Sequence, residues 1–206
     1  MPDLTTTVAA PEGRRAGRRE AILDAAARLI ARRGVRGLRV EEVATEAGVS
    51  PPLLYYHFES RAGLVRATLE HAGERAPSIA LRAPSPDVTG REALERALLA
   101  ELDDEPSVRD SAVVWGEVTA TAVFEEELRD DVRAAAESWR DMVGETIRRG
   151  MEDGSIAPDV DPAVAAEILI TLVDGLCNRW LADALSRERA QALLEAAIER
   201  TLPRPG

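Results

Sequence analysis

Apolar residues recur at every third or fourth position through most of this chain, and that spacing constrains its fold more than any other feature. Ile22, Ala26, Leu29 and Ile30 fall on one face of a helix; Val40, Val43, Ala44 and Ala47 on one face of another. Alanine and leucine dominate, and the alternation of a half-buried strand is scarce. The expected class is therefore all-α. Further helices are read at about 60–75, 90–102, 107–122, 125–152, 162–184 and 186–202, about nine in total. No internal repeat is visible.

Residues 1–13 lack helical period and read as a disordered tail. The proline-rich stretch at 76–90 breaks the helical pattern and reads as a hinge or linker. The expected domains are 14–76 and 77–206, an N-terminal three-helix unit and a larger helical body. The 60–75 helix is read as the only continuous element leading from one into the other.

Charge divides along the same line. The net charge is −11, yet residues 1–72 carry 11 arginines against 9 acids, and the remainder 15 against 28. A mildly basic head sits on a strongly acidic body. All 26 basic residues are arginine, the better bidentate phosphate partner. The single cysteine, Cys177, precludes an intrachain disulfide. The N-terminus lacks the layout of a signal peptide, and the most apolar run, 163–173, is well short of the roughly 20 residues of a membrane span. The expected location is cytoplasmic, with no membrane partner.

Within the head, "AGVS" separates two short helices, a helix-turn-helix arrangement. Ser50 is the N-cap of the second and Pro51 its first residue, where a missing N–H costs nothing. Laid out at about 100° per residue, that helix turns Leu54 and Phe58 inward. Tyr56 lies opposite, flanked by Pro52 and Leu53, with Tyr55 and His57 to the sides. Such a face suits the DNA major groove, its apolar surface meeting thymine methyls and its ring OH and N–H groups reaching phosphates. The competing reading is a cap on the core or a subunit contact.

Residues 19–72 resemble the DNA-binding domain of TetR-type transcriptional regulators. The matching residues are Ala26–Gly34, then "VATEAGVS" (Val43–Ser50), then "LYYHFESRAGL" (Leu54–Leu64). The resemblance implies that Tyr55, His57 and Arg61 hold phosphates while Pro51, Pro52, Leu53 and Tyr56 face the groove. Three positions depart from the family pattern. Arg61 stands where Lys is usual, Pro52 replaces a common Gly, and Arg39 replaces a small hydroxyl residue at the start of the second helix. The Arg39 guanidinium could reach the same phosphate, or a guanine edge. Arg14, Arg15, Arg18 and Arg19 precede the first helix as read here, and two readings stand open: a solvated tail, or an arm in the adjacent minor groove.

In the body, helix 162–184 is apolar nearly all round and must be covered on several sides. Leu169, Val173 and Leu176, with Leu194 and Ile198 of the last helix, are candidates for a four-helix dimer interface; an ordinary core is the alternative. The resemblance favours the dimer, since paired half-sites need paired readers. The stretches Trp115–Ala120 and Val173–Trp180 are similar to the BetI-like C-terminal class. Trp115, Phe124, Trp139 and Trp180 either line an effector pocket or belong to the core. Acidic neighbours such as Glu117 and Asp174 would suit a cationic effector.

The sequence shows no Ser-His-Asp grouping, no metal-ligand spacing and no Gly-rich phosphate loop, so no catalytic residue, metal or cofactor is expected. The sequence reads as a ligand-responsive transcriptional repressor, a homodimer on an inverted-repeat operator, released by a small molecule. A helical protein–protein module or an enzyme without a recognisable motif are the alternatives.

Overall fold

The computed structural model describes residues 11–83, 85 and 87–206, and of residues 11–16 the backbone alone. Among these residues there are nine α-helices and no strand: α1 (Pro11–Arg33), α2 (Val40–Glu46), α3 (Pro51–Phe58), α4 (Arg61–Arg75), α5 (Gly90–Ala100), α6 (Pro106–Ala122), α7 (Arg129–Glu152), α8 (Pro162–Leu181) and α9 (Arg187–Thr201). Three short 3-10 turns, Val35–Gly37, Pro77–Arg82 and Glu126–Leu128, link them.

Local chemistry sets most of the boundaries. Ser60 Oγ accepts from Gly63 N–H at the start of α4, Asp161 accepts from Ala163 and Val164 N–H at α8, and Ser186 accepts from Arg189 N–H at α9. Thr89 and Glu92 form a reciprocal capping box at α5. α1 ends at Gly34, whose φ of 72° and ψ of 167° are open to glycine and hostile to other residues.

The head is a three-helix bundle with α4 leading out of it. Ile22, Leu23, Ile30, Val43, Leu54, Phe58 and Leu64 form its core, but the same cluster includes Val114, Val118 and Ala122 of α6 and Leu128. α6 packs directly on α1 and on the Val35–Gly37 turn. α4 leads continuously out of the head, and α6 adds a second connection by packing, since it shares the head's core. A separate cluster in the body unites Leu94 and Leu98 of α5, Val143 and Ile147 of α7, and the inner faces of α8 and α9.

Four sequence expectations change here. Helix α1 starts at Pro11, so part of the expected disordered tail is helical; residues 1–10 lie outside the described residues. The 76–90 stretch is not a free linker: Ser78 and Leu81 are buried, and Ser78 N–H donates to Glu101 Oε1 at 2.9 Å. The helix read at 125–152 begins at Arg129, after a 3-10 turn. Finally, Leu169, Val173, Leu176, Leu194 and Ile198 are buried inside one chain and cannot be its dimer surface. Periodicity marked an apolar face correctly, but α5 and α7 already cover it.

Candidate nucleic-acid interface and effector cavity

Helix α3 stands as its period requires. Leu54 and Phe58 are buried, Tyr56 is 64% exposed, Tyr55, Pro51 and Pro52 are exposed, and Leu53 and His57 are partly so. The Tyr56 and His57 rings meet edge-on, with centroids 5.5 Å apart. Ser50 occupies the N-cap with its hydroxyl uncommitted to the helix, while its carbonyl accepts from Leu53 and Leu54 N–H. Arg39 is the exposed N-cap of α2 and makes no side-chain cap bond. One side of the head thus carries a stiff, largely apolar ridge with hydroxyl and imidazole groups beside it.

Arg61, expected to hold a phosphate, is engaged within the head. Its Nε–H donates to Leu38 O at 3.2 Å and an Nη2–H donates to Val35 O. The guanidinium therefore ties α4 to the loop between α1 and α2, giving the Leu38 carbonyl a partner and the Val35 carbonyl, which already accepts from Leu38 N–H, a second one. Arg28 and Arg32 are similarly engaged by Glu46, and Arg33 by Glu42, so these α1 arginines brace α2.

The arginines expected as an extended arm, Arg14, Arg15, Arg18 and Arg19, lie within α1 rather than ahead of it. A helix is too wide for a minor groove about 6 Å across, so an extended arm is not what these positions form. The side chains of Arg14 and Arg15 lie outside the described residues. Arg18 is exposed, and the Arg19 guanidinium sits 5.6 Å from the Phe58 ring centroid, at the C-terminal end of α3.

The body holds a cavity of about 380 Å³ between α4, the Pro77–Arg82 turn, the end of α5, and α6, α7 and α8. Trp115 and Trp139 line it, as two of the four expected aromatics. The other two do not. Phe124 is 72% exposed at the end of α6 beneath the Arg36 guanidinium, and Trp180 is buried in the core with Arg109 over its ring. Local pattern made all four look equivalent; their positions on the helices separate them.

Inside the cavity, Trp115 Nε1–H donates to Asp174 Oδ1 at 3.0 Å. Burial pushes Asp174 up to about 6; the Trp115 bond opposes the shift and the nearby Glu101 charge adds to it. Burial raises Glu101 too, against its hydrogen bonds from Ser78. Cys177, between them, is pushed up to about 12 by burial and by both carboxylates, which leaves it an unreactive thiol at neutral pH. Sequence reasoning missed Glu101 and Ser78, which reach the cavity from the end of α5 and from the supposed linker with no motif to mark them.

Glu117, expected near an effector, instead ties α6 to the head. It accepts from Val35 N–H at 3.0 Å, two residues beyond Trp115 on α6. Trp115 faces the cavity and Glu117 holds the head, so one turn of α6 touches both.

Two family models match the chain. One describes bacterial regulatory proteins of the tetR family and matches residues 22–68; the other describes the C-terminal part of BetI-type transcriptional repressors and matches residues 90–203. Among curated relatives, the HTH-type transcriptional repressor BepR of Brucella suis is 28% identical over 174 residues, covering 79% of this chain and 80% of BepR. Among solved structures, a protein from Rhodococcus sp. assigned to the TetR-family regulators is 41% identical with a TM-score of 0.84, covering 91% of this chain and 99% of its own. A transcriptional regulator from Saccharomonospora viridis, solved in complex with choline, is 28% identical with a TM-score of 0.75, covering 91% and 98%. The chain belongs to the TetR family, with a BetI-type C-terminal domain, and is a DNA-binding transcriptional regulator rather than an enzyme.

Proposed function

We propose that the protein is a homodimeric repressor whose paired α3 helices read an inverted-repeat operator, and that a small molecule in the body cavity releases it. The observation that carries the DNA reading is the orientation of α3: Leu54 and Phe58 anchor the helix while Tyr56 is presented to solvent. In this reading Leu53 and Tyr56 contact base edges, and Arg39, Ser50, Tyr55 and His57 lie beside the phosphates.

Two recognition helices must sit about one DNA turn apart, roughly 34–36 Å, so the pairing surface matters. The exposed faces of α8 and α9 supply a candidate. Val164 and Ile168 are 56% and 49% exposed and share a face with Thr171 and Gly175, and Leu193 of α9 is also exposed. Large aliphatic side chains in water on two adjacent helices suit a four-helix contact with a second copy. This surface replaces the buried residues of the sequence reading.

Coupling follows from the two connections between body and head. Ser78, three residues beyond α4, is held by Glu101 in the cavity wall, and Val35 is held by Glu117 of α6. A ligand that disturbs Glu101 or Trp115 acts on both attachments and so on the spacing of the heads. A coupling of about 1–3 kcal/mol lowers operator affinity 5- to 150-fold.

The test is a mobility-shift titration on the intergenic DNA beside the gene, at several salt concentrations. Tyr56→Ala should weaken specific binding by roughly 1–3 kcal/mol and leave non-specific, salt-dependent binding unchanged. Unchanged operator affinity in that variant would refute the orientation assigned to α3.

A further inference from the structure

Only Glu59 and Ser60 separate α3 from α4, and the chain turns there in an uncommon way. Glu59 N–H closes the last turn of α3 on Tyr55 O at 2.8 Å. Ser60 then donates its N–H to Phe58 O, two positions back. With Glu59 between them at φ 60° and ψ −44°, this is the rarer, strained form of γ-turn. Ser60 at once becomes the N-cap of α4, its hydroxyl accepting from Gly63 N–H at 3.0 Å and its carbonyl from Leu64 N–H at 3.0 Å.

The residue in the strained position is the unexpected part. The other positive-φ positions among the described residues are Gly34, Gly48, Gly154 and Asp183. Glycine has no Cβ to clash there, and aspartate has a short polar side chain that can bond locally. Glutamate has neither advantage. Its side chain is exposed and, among the described residues, makes no hydrogen bond or ion pair that would hold the backbone in place. The strain is therefore imposed by what flanks the turn. On one side Leu54 and Phe58 are buried. On the other, the first turn of α4 lies so close to the Phe58 carbonyl that a Cβ added at Gly63 would collide with its oxygen.

We infer that Glu59 is a positioning residue for operator reading: its strained turn locks α3 onto the first turn of α4 at one angle. The inference rests on the reading of α3 as the helix that meets DNA, and adds how its angle is set. An eight-residue helix held by two buried side chains on one face can rock about them. Base-edge contacts tolerate little rocking, since a reading group must stand within about 0.5 Å and 10–20° of its place. A Cβ at residue 59 narrows the conformations open to the turn, where glycine would admit many. Stability is given up for a stiff joint, the pattern expected where backbone strain serves a function. The same joint passes a displacement of α4 to α3 without slack.

Glu59→Gly and Glu59→Gln, made in the full chain, separate backbone from charge. Each is titrated on the intergenic DNA beside the gene and on an unrelated duplex of equal length. The ratio of the two affinities is the readout, because removing a carboxylate near phosphates strengthens both alike. Glu59→Gly should raise the urea midpoint by about 0.5 M, relief of strain exceeding the added freedom of the unfolded chain. It should also lower the ratio about tenfold, the worth of one misaligned base contact. Glu59→Gln keeps the Cβ and should leave midpoint and ratio unchanged. A gain in stability with a loss of reading is the signature, since a turn with a structural role alone would not move the two in opposite directions. A Glu59→Gly protein less stable than the parent has no strain to relieve and overturns the inference. So does a stabilised one whose ratio stays within about twofold of the parent's, or an equal loss in Glu59→Gln, which would assign the effect to the carboxylate. Tyr56→Ala, run alongside, tells this failure from failure of the reading beneath it: if it lowers the ratio while Glu59→Gly does not, α3 still reads DNA and only the role of Glu59 falls.

Discussion

Replacing Gly34 by alanine in the presence and absence of Glu117 measures how firmly the head is pinned to the body. Gly34 has φ 72° and ψ 167°, a region where a side chain is strained by about 1–3 kcal/mol. An added Cβ would also stand 2.5 Å from Glu117 Oε2, the atom that accepts from Val35 N–H. The carboxylate must swing away, and the largely buried Val35 N–H then loses its acceptor at a further cost of about 1–3 kcal/mol. Gly34→Ala should therefore destabilise by about 2–6 kcal/mol, and Glu117→Ala by only the second part. In the double variant that second part is lost once, so its cost should fall short of the sum by about 1–3 kcal/mol. Urea unfolding at fixed protein concentration reads all four proteins; with a slope of about 2 kcal/mol/M, a 3 kcal/mol loss moves the midpoint by about 1.5 M. Additivity within about 0.5 kcal/mol would refute the argument, showing that the Glu117 contact contributes nothing at Gly34.

Three further outcomes follow from the structure. Ile168→Arg, on the exposed face of α8, should give a folded monomer by sedimentation with operator affinity sharply reduced, whereas Leu169→Arg, at 0% exposure, should unfold the body by about 3–5 kcal/mol; a folded dimeric Ile168→Arg would move the contact elsewhere. Arg61→Ala should destabilise the head by about 1–3 kcal/mol through the orphaned Leu38 carbonyl and the lost second bond to the Val35 carbonyl, while leaving the salt slope of DNA binding unchanged; a slope lower by about one would restore the phosphate role. Asp174→Asn should stabilise the ligand-free protein. The folded value of Asp174 is raised from 3.8 to about 6, so its favourable contribution is complete below the unfolded value and is lost as pH rises through about 6. A shift of this size corresponds to about 3 kcal/mol at pH 7 and to none below pH 4; thermal melts at both pH values check it, and an equal gain at both would assign the effect to something other than charge.

The residues by themselves determined what depends on near neighbours along the chain. Serine, threonine and aspartate caps set where α4, α5, α8 and α9 begin, because a cap satisfies N–H groups two or three residues away. The outward turn of Tyr56 was legible for the same reason: on an eight-residue helix, the placement of Leu54 and Phe58 leaves one direction for the opposite face. What covers an apolar face is not local. Leu169 and Ile168 are adjacent in sequence, yet one is buried in the body core and the other faces solvent, and only the assembled body distinguishes them. The cavity is further still from the sequence pattern, since Glu101 and Asp174 meet across 73 positions and Ser78 joins them from a stretch that reads as a linker. Helix formation is decided by hydrogen bonds four residues apart, so its signals are written in order along the chain. A site between six elements is decided by how their faces pack, which brings together residues that share no spacing at all.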